Sequence, residues 1–190
     1  ASQFTAPSYG TPGSIEKYNL ILDQLRALGV EIVEMTGSVA NPTINAPGNL
    51  GHEGWFEWIR THPNSPYTHP NQIINSPLKL PYNRSTNGNA TDMTDAQVQA
   101  ARDRRTQYKA NWKDYLNANR VEAVLYPGNT SDFSDNDTAA LGASFGSPPT
   151  SNIGIPGMVV PVGLNDHGHP LSMQFVGRAW DDAKMLGFGY

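Results

Sequence analysis

Apolar residues recur at two different periods along this chain, and the change of period divides it into elements. Ile15, Tyr18, Leu22 and Leu25 fall at helical spacing. This predicts a helix opening at Pro12-Gly13-Ser14, with Ser14 as its N-cap and Gly29 as its C-terminal stop. Val30-Glu-Ile-Val-Glu-Met35 then alternates and reads as a strand. Helix, glycine stop and strand in that order make an α/β unit. His52 to Arg60, carrying Trp55, Phe56, Trp58 and Ile59, reads as a short aromatic-rich helix, and Asn71 to Ile74 as one helical turn. Thr94 opens the longest helix, with Gln97 at the capping-box position. Its inner stripe is Val98, Ala101, Arg105, Tyr108, Trp112 and Leu116. Val121 to Tyr126 is the next strand, stopped by Pro127.

The last third changes character. Gly146 to Gly157 is polar and proline-rich and turns through Asn152-x-Gly154-x-Pro156. Met158 to Val162 is nearly all apolar, so it is expected to be buried on both faces as a central strand. Leu171 to Gly177 follows through the polar loop Asn165-Asp-His-Gly-His-Pro170, as a hairpin or a neighbouring antiparallel pair. Ala139 to Asn152 reads as a broken helix, and Trp180-Asp-Asp starts a last one. Residues 1–13 and the stretches 36–49, 61–70, 76–92 and 128–138 read as coil. Loops this long in a compact domain are commonly lids or substrate-facing walls.

Composition narrows the picture. A chain of 190 residues is long enough for one domain with a real core. The 18 glycines and 15 prolines, with abundant Asn, Ser and Thr, imply long ordered loops. A net charge of −4 argues against a nucleic-acid or anionic-membrane partner, and no apolar run is long enough for a membrane span. The absence of cysteine excludes disulfides, thiolate metal sites and a cysteine nucleophile. Sequons at Asn83, Asn89, Asn129 and Asn136, with little lysine, favour an extracellular location, a cytoplasmic one being the alternative.

Candidate chemistry is sparse. Gly142-Ala-Ser144-Phe-Gly146 matches the G-x-S-x-G pattern, but a nucleophile elbow needs a strand before the serine and a helix after it. Here an acidic loop precedes it and Ser147-Pro148-Pro149 follows, which disfavours helix. Asp166 and His169 would complete a triad only by approaching from a single short loop. His167 and His169 with Asp166 resemble a metal site lacking its remaining ligands, and a solvated hairpin turn accounts for them better. Glu53 and Glu57, at i and i+4, have the spacing for acid/base work or for a solvated helix face. Trp55, Phe56, Trp58 and Ile59 suit a core or a hydrophobic substrate channel. Arg105 on an apolar stripe either packs its stem and pairs its head, or faces a substrate carboxylate. No phosphate loop is present, and no activated nucleophile stands beside a base.

One ordered set of motifs remains: Asn152-x-Gly154-x-Pro156-Gly-x-Val-Val-Pro161-x-Gly163, His169-Pro-Leu-x-x-Gln174-x-Val-Gly177 and Trp180-Asp-Asp-x-x-x-Leu186. It resembles the C-terminal part of the amidase signature family, densely over Val121 to Tyr190 and more loosely over Ser14 to Asn119. The resemblance implies an α/β fold with a mixed sheet flanked by helices, and carboxamide hydrolysis by a Ser-Ser-Lys triad without a cofactor. That family's nucleophile segment and lysine lie in its N-terminal half, and nothing here corresponds to them. The whole of 1–190 is therefore expected to be the C-terminal portion of an amidase domain: 1–13 coil, 14–119 helices and loops, 120–190 core strands with the start of a final helix. The chain looks cut at both ends. The implied partners are an N-terminal amidase chain carrying the triad, giving a heterodimer, and a small-molecule amide. By position, Asn152, Ile153, Ile155, Pro156 and Met158 are the residues to line or buttress the acyl pocket, support of the fold alone being the alternative. Glu122, where the family usually shows aspartate, the acidic stretch 128–138 and the long stretch 76–92 depart from the pattern. A non-catalytic binding module of the same fold and a Ser144 hydrolase are the competing readings.

Overall fold

The structure is a computed structural model, and it describes residues 12–78, 89–128 and 150–190. Ser144, three of the four sequons and most of the acidic stretch lie outside the described residues; Asn89 lies within them and is exposed. The elements are α1 (Pro12–Ala27), α2 (Leu50–Thr61), α3 (Asn71–Ile74), α4 (Asp95–Ala118), β1 (Val124–Pro127), α5 (Thr150–Ile153), β2 (Gly157–Leu164), β3 (Pro170–Val176) and α6 (Asp182–Gly189). The chain divides into two compact units, one of Ala1–Asn41 with Tyr108–Tyr190, the other of Pro42–Gln107, and the boundary falls within α4.

The first unit is built on a three-stranded sheet of order β1-β3-β2. Both pairings are antiparallel, Val124 opposite Val176 on one side of β3 and Met158 opposite Phe175 on the other. Side chains alternate across β3, so each face acquires its own core. Leu171 and Met173 meet Tyr18 and Leu22 of α1, with Leu125 and Val162 beside them. Val176 and Val124 meet Trp112 and Leu116 of α4, with Ile153 and Ile155. Helices therefore cover both faces of the sheet, an α/β layering, and the described strands are antiparallel throughout where a mixed sheet was expected. Two buried donors lock the layers. The Tyr18 hydroxyl donates to the Ser172 carbonyl at 2.9 Å, and Trp112 Nε1 donates to the Gly177 carbonyl at 2.9 Å.

Helix ends follow their sequence signals. The Gly29 N–H donates to the Arg26 carbonyl and the Val30 N–H to the Leu25 carbonyl, the pair of hydrogen bonds that closes a helix through a left-handed residue. Gly29 takes φ 90°, which glycine adopts without strain. The end of α4 repeats the arrangement, from Arg120 to Asn117 and Val121 to Leu116, but places Arg120 at φ 54°. At the other end of α1 the helix already begins at Pro12, so Ser14 lies inside it, fully buried, and is not the N-cap.

Two strand expectations are corrected. Val30 to Met35 forms no ladder among the described residues. Its alternation serves packing: Ile32 tucks into the core under α1 and Met35 into the core under α4. β2 is the sheet's edge among the described residues, not its centre, and Gly157, Val159, Pro161 and Gly163 are exposed. A continuous apolar run asks for cover without saying which neighbour supplies it. Pro161, which lacks an N–H, and the register break between Pro161 and Gly163 both suit an edge.

The second unit is held differently. Asn49 caps α2 through its side-chain oxygen, which accepts from Gly51 N and His52 N at 2.8 and 3.3 Å. Thr94 and Gln97 form the reciprocal capping box at the start of α4, at 2.8 and 3.3 Å. α2 has no fully buried residue, and Trp55 and Trp58 stand 43% and 40% exposed. Arg105 is exposed as well, so its place on the helical stripe does not carry it into a core.

Candidate functional site

The five residues singled out above run from α5 (Asn152 and Ile153) through the turn that follows it (Ile155 and Pro156) into β2 (Met158). The Thr150 carbonyl accepts from Gly154 N at 2.8 Å and Ile155 N at 3.2 Å, so the single helical turn stops at once. Gly154 makes the stop possible with φ 68°. Ile153 and Ile155 are buried against Trp112, Leu116 and Val176. Pro156 is half-buried and its carbonyl accepts from Gly177 N at 3.1 Å, tying the turn to the end of β3. Asn152 is exposed. Met158, half-buried, lies on the α1 side of the sheet beside Gly189 of α6. Ile153 and Ile155 thus come together beneath the turn, Asn152 faces outward from it, and Met158 belongs to the opposite face of the sheet.

Two polar side chains near this turn were not singled out in the sequence. Lys109 of α4 is half-buried, with its Nζ 3.6 Å from where a Cβ on Gly154 would stand. Tyr126 on β1 packs against the same core as Ile153 and Ile155. Burial first, then the neighbouring Tyr115 and Tyr108, pushes its phenol up to about 12, so it is a protonated donor across the ordinary pH range. Only a neighbouring turn and strand reveal either residue. Helical periodicity makes Lys109 unremarkable, and a tyrosine before Pro127 reads as strand filler.

The hairpin loop resolves the histidine question. Asn165 is buried and accepts from His167 N and His169 N at 3.0 and 2.8 Å, while its own N–H donates to the His169 carbonyl at 2.8 Å. Gly168 takes φ 79° to close the turn. Asp166 pairs with Lys17 of α1 at 3.0 Å, and Lys17 also donates to the Leu164 carbonyl. Asp166, His167 and His169 are therefore organised as a turn fastened to α1. Among the described residues no group of three or more His, Cys, Asp or Glu is placed to hold a metal.

In the second unit, Glu53 and Glu57 converge on one cation. The Arg60 guanidinium contacts Glu53, meets Glu57 at 3.1 Å and meets Asp92 at 3.1 Å. Met93 N donates to Asp92 at 3.0 Å and to Glu53 at 3.2 Å. Desolvation works against the charge on Arg60, but its hydrogen bonds to Asp92, Glu57 and Glu53 outweigh it and raise the guanidinium's pKa further. Hydrogen bonding with Glu53, aided by Arg60 and Met93 N–H, holds the Asp92 carboxyl below its usual range despite some desolvation. These groups line a cavity of about 830 Å³, with Asp95 and Arg102 on its wall. Engaged with Arg60, the two glutamates form neither a wholly solvated face nor a free acid/base pair. Their i, i+4, i+7 spacing with Arg60 is legible in sequence; Asp92, 32 residues beyond Arg60, is not.

Comparison with known proteins agrees with the motif reading. The amidase family model matches residues 8–186. The chain is similar to a glutamyl-tRNA(Gln) amidotransferase subunit from Roseobacter denitrificans, 34% identical over 103 residues, which is 50% of this chain and 21% of that protein. The Rhodospirillum rubrum counterpart is 51% identical over 41 residues, 22% of this chain and 8% of that protein. The match thus spans about a fifth of the length of the first of these relatives. The crystal structure of an amidase family protein from Bacillus anthracis aligns with 98% of this chain and 36% of its own, with a TM-score of 0.55 and 14% identity. That structural likeness concerns the fold.

Proposed function

The chain belongs to the amidase family, and on that premise we propose that it is the C-terminal portion of a serine amidohydrolase cleaving the C–N bond of a small carboxamide. The match of the family model over residues 8–186 carries this reading. A Ser-Ser-Lys triad on a companion or preceding segment would supply the chemistry. The nucleophilic serine attacks the amide carbon, its proton passes through the second serine and the lysine to the departing amine, and water then releases the acid from the acyl-enzyme. The small share of each relative's length that is matched supports a triad outside this chain.

This chain's part is to hold the wall of the acyl pocket. A nucleophile and its oxyanion donors work only when rigidly supported. Ile153 and Ile155, fixed in the α4 core, anchor the turn from below. Asn152 of α5 is the member to touch substrate, a role its exposure supports, and Pro156 and Met158 shape the entry into β2. An extracellular location goes with this reading, supported by the exposed sequon at Asn89. The test is denaturing mass analysis of native material together with ammonia release from a panel of aliphatic and aromatic carboxamides. A second polypeptide in stoichiometric amount with activity is the expected result, and Asn152→Ala should then lower kcat/KM by about 10-fold. One inactive polypeptide would sink the hydrolase in favour of a binding module. One active polypeptide would return the nucleophile to this chain, with Ser144→Ala the deciding variant.

A further inference from the structure

Gln174 sits on the middle strand, where its neighbours are apolar and enclosed. Side chains alternate along β3, with Leu171 and Met173 buried in the core under α1 and Val176 in the core under α4. Gln174 shares the face of Val176, in register with Tyr126 of β1 on one side and Val159 of β2 on the other. The cover over that face thins out at this row. Trp112, Leu116, Ile153 and Ile155 enclose Val176, whereas Gln174 and Tyr126 are half-buried and Val159 is 55% exposed. Directly opposed residues on antiparallel strands hold their Cβ atoms about 5 Å apart, so the Gln174 amide and the Tyr126 phenol are neighbours. Among the described residues neither group makes a hydrogen bond. A polar group partly withdrawn from water in mid-sheet costs free energy until something pairs with it.

We propose that Gln174 and Tyr126 hold the carboxamide group of the substrate: Gln174 Oε1 accepts from the amide N–H, the Tyr126 hydroxyl donates to the carbonyl oxygen, and the acyl group lies against Val159. The assignment rests on the amidohydrolase reading above and gives it an amide-recognising pair. Hydrogen-bonding capacity selects the ligand. The pair combines a neutral acceptor with neutral donors, the complement of a group that has both an N–H and a carbonyl. An ester leaves Gln174 Oε1 without a donor, and a carboxylate or phosphate sets oxygen against oxygen there. Burial keeps the Tyr126 phenol protonated up to about 12, so its donor persists across the ordinary pH range. The row is also close to the candidate pocket wall. Val159 stands two residues, about 7 Å, along β2 from Gly157, where the strand leaves the Ile155–Pro156 turn. Hydrogen bonds in the plane of the amide leave both faces of its carbonyl carbon open to a nucleophile, and one lone pair of its oxygen open to donors of the companion segment.

The test is the preference for amide over ester, measured on the intact protein with whatever polypeptide accompanies it. Matched primary amides and methyl esters of acetic, hexanoic and benzoic acids are the probes. The preference is read as a ratio of kcat/KM where hydrolysis occurs, and as a ratio of dissociation constants by calorimetry where it does not. Gln174→Leu should lower that ratio by about 10-fold, because only the amide loses a hydrogen bond to it. Tyr126→Phe should weaken amide and ester alike by about 5-fold and leave the ratio in place, since both present a carbonyl. A ratio does not depend on how much of a variant is folded, so a purely structural role for Gln174 would not move it. Gln174→Glu, of the same shape and still an acceptor, should retain the preference. A ratio that Gln174→Leu leaves unchanged, or that Gln174→Glu lowers as far, overturns the assignment, as does an amide panel that is neither bound nor hydrolysed. The two readings fail separately. Hydrolysis with an unchanged ratio removes the Gln174–Tyr126 site alone, and amide binding that depends on Gln174 without hydrolysis removes the hydrolase alone.

Discussion

The two compact units of this chain are held by different forces. In the sheet unit, Tyr18, Leu116, Met173 and Val176 are fully enclosed, and buried Tyr18 and Trp112 each donate across it, with ion pairs such as Lys17–Asp166 at its surface. In the unit of residues 42–107, α2 buries no residue completely, and its distinctive contact is a guanidinium shared by three carboxylates. Apolar burial is not weakened by charge screening and is nearly indifferent to pH, whereas exposed ion pairs respond to both. One region should therefore behave as a rigid scaffold and the other as a condition-dependent one.

The largest expected effect tests the scaffold. Leu116→Ala deletes a wholly buried side chain and should destabilise the sheet unit by about 3 kcal/mol in urea unfolding. Trp55→Ala, at a site 43% exposed, should cost far less in the other unit. Equal costs would end the contrast. Arg60→Gln should follow in size, lowering the melting temperature of the second unit, with the loss shrinking in molar salt. The pH response has a definite sign. Asp92 titrates lower when folded, so its contribution is present above the usual aspartate range and is lost as pH falls below it. Arg60→Gln should flatten that acid limb, and an unchanged limb would mean that the cluster is decorative. The smallest effect belongs to Tyr126. Its phenol is raised when folded, so its contribution is full below pH about 10, the free tyrosine value, and is lost as pH climbs towards about 12. Tyr126→Phe should soften the alkaline loss seen in melts across that window, without affecting the acid side.

Much of the fold could be read from local signals. The Thr94–Gln97 box, the Gly29 stop and the Asn165–Pro170 turn each join residues within a few positions, so the chemistry that decides them is written side by side. Arg120 shows the limit of such signals. It occupies the left-handed stop of α4 without being glycine, because the Arg120 and Val121 N–H groups still satisfy the carbonyls of Asn117 and Leu116. The misread segments share one cause. For Val30–Met35, Arg105 and β2 the sequence offers period alone, and period states which residues seek cover without stating what provides it.

The same division holds for the candidate site. Order and spacing of Asn152, Gly154, Pro156, Pro161 and Gly163 determined the family and the turn, because left-handed glycine and donor-free proline constrain the backbone wherever they stand. Only the tertiary structure decided that Ile153 and Ile155 face a core, that Asn152 faces outward, that Met158 crosses to the other side of the sheet, and that Asp92 joins Arg60. Those outcomes depend on contacts between residues far apart in the chain, where burial and pairing are settled by whichever surfaces meet.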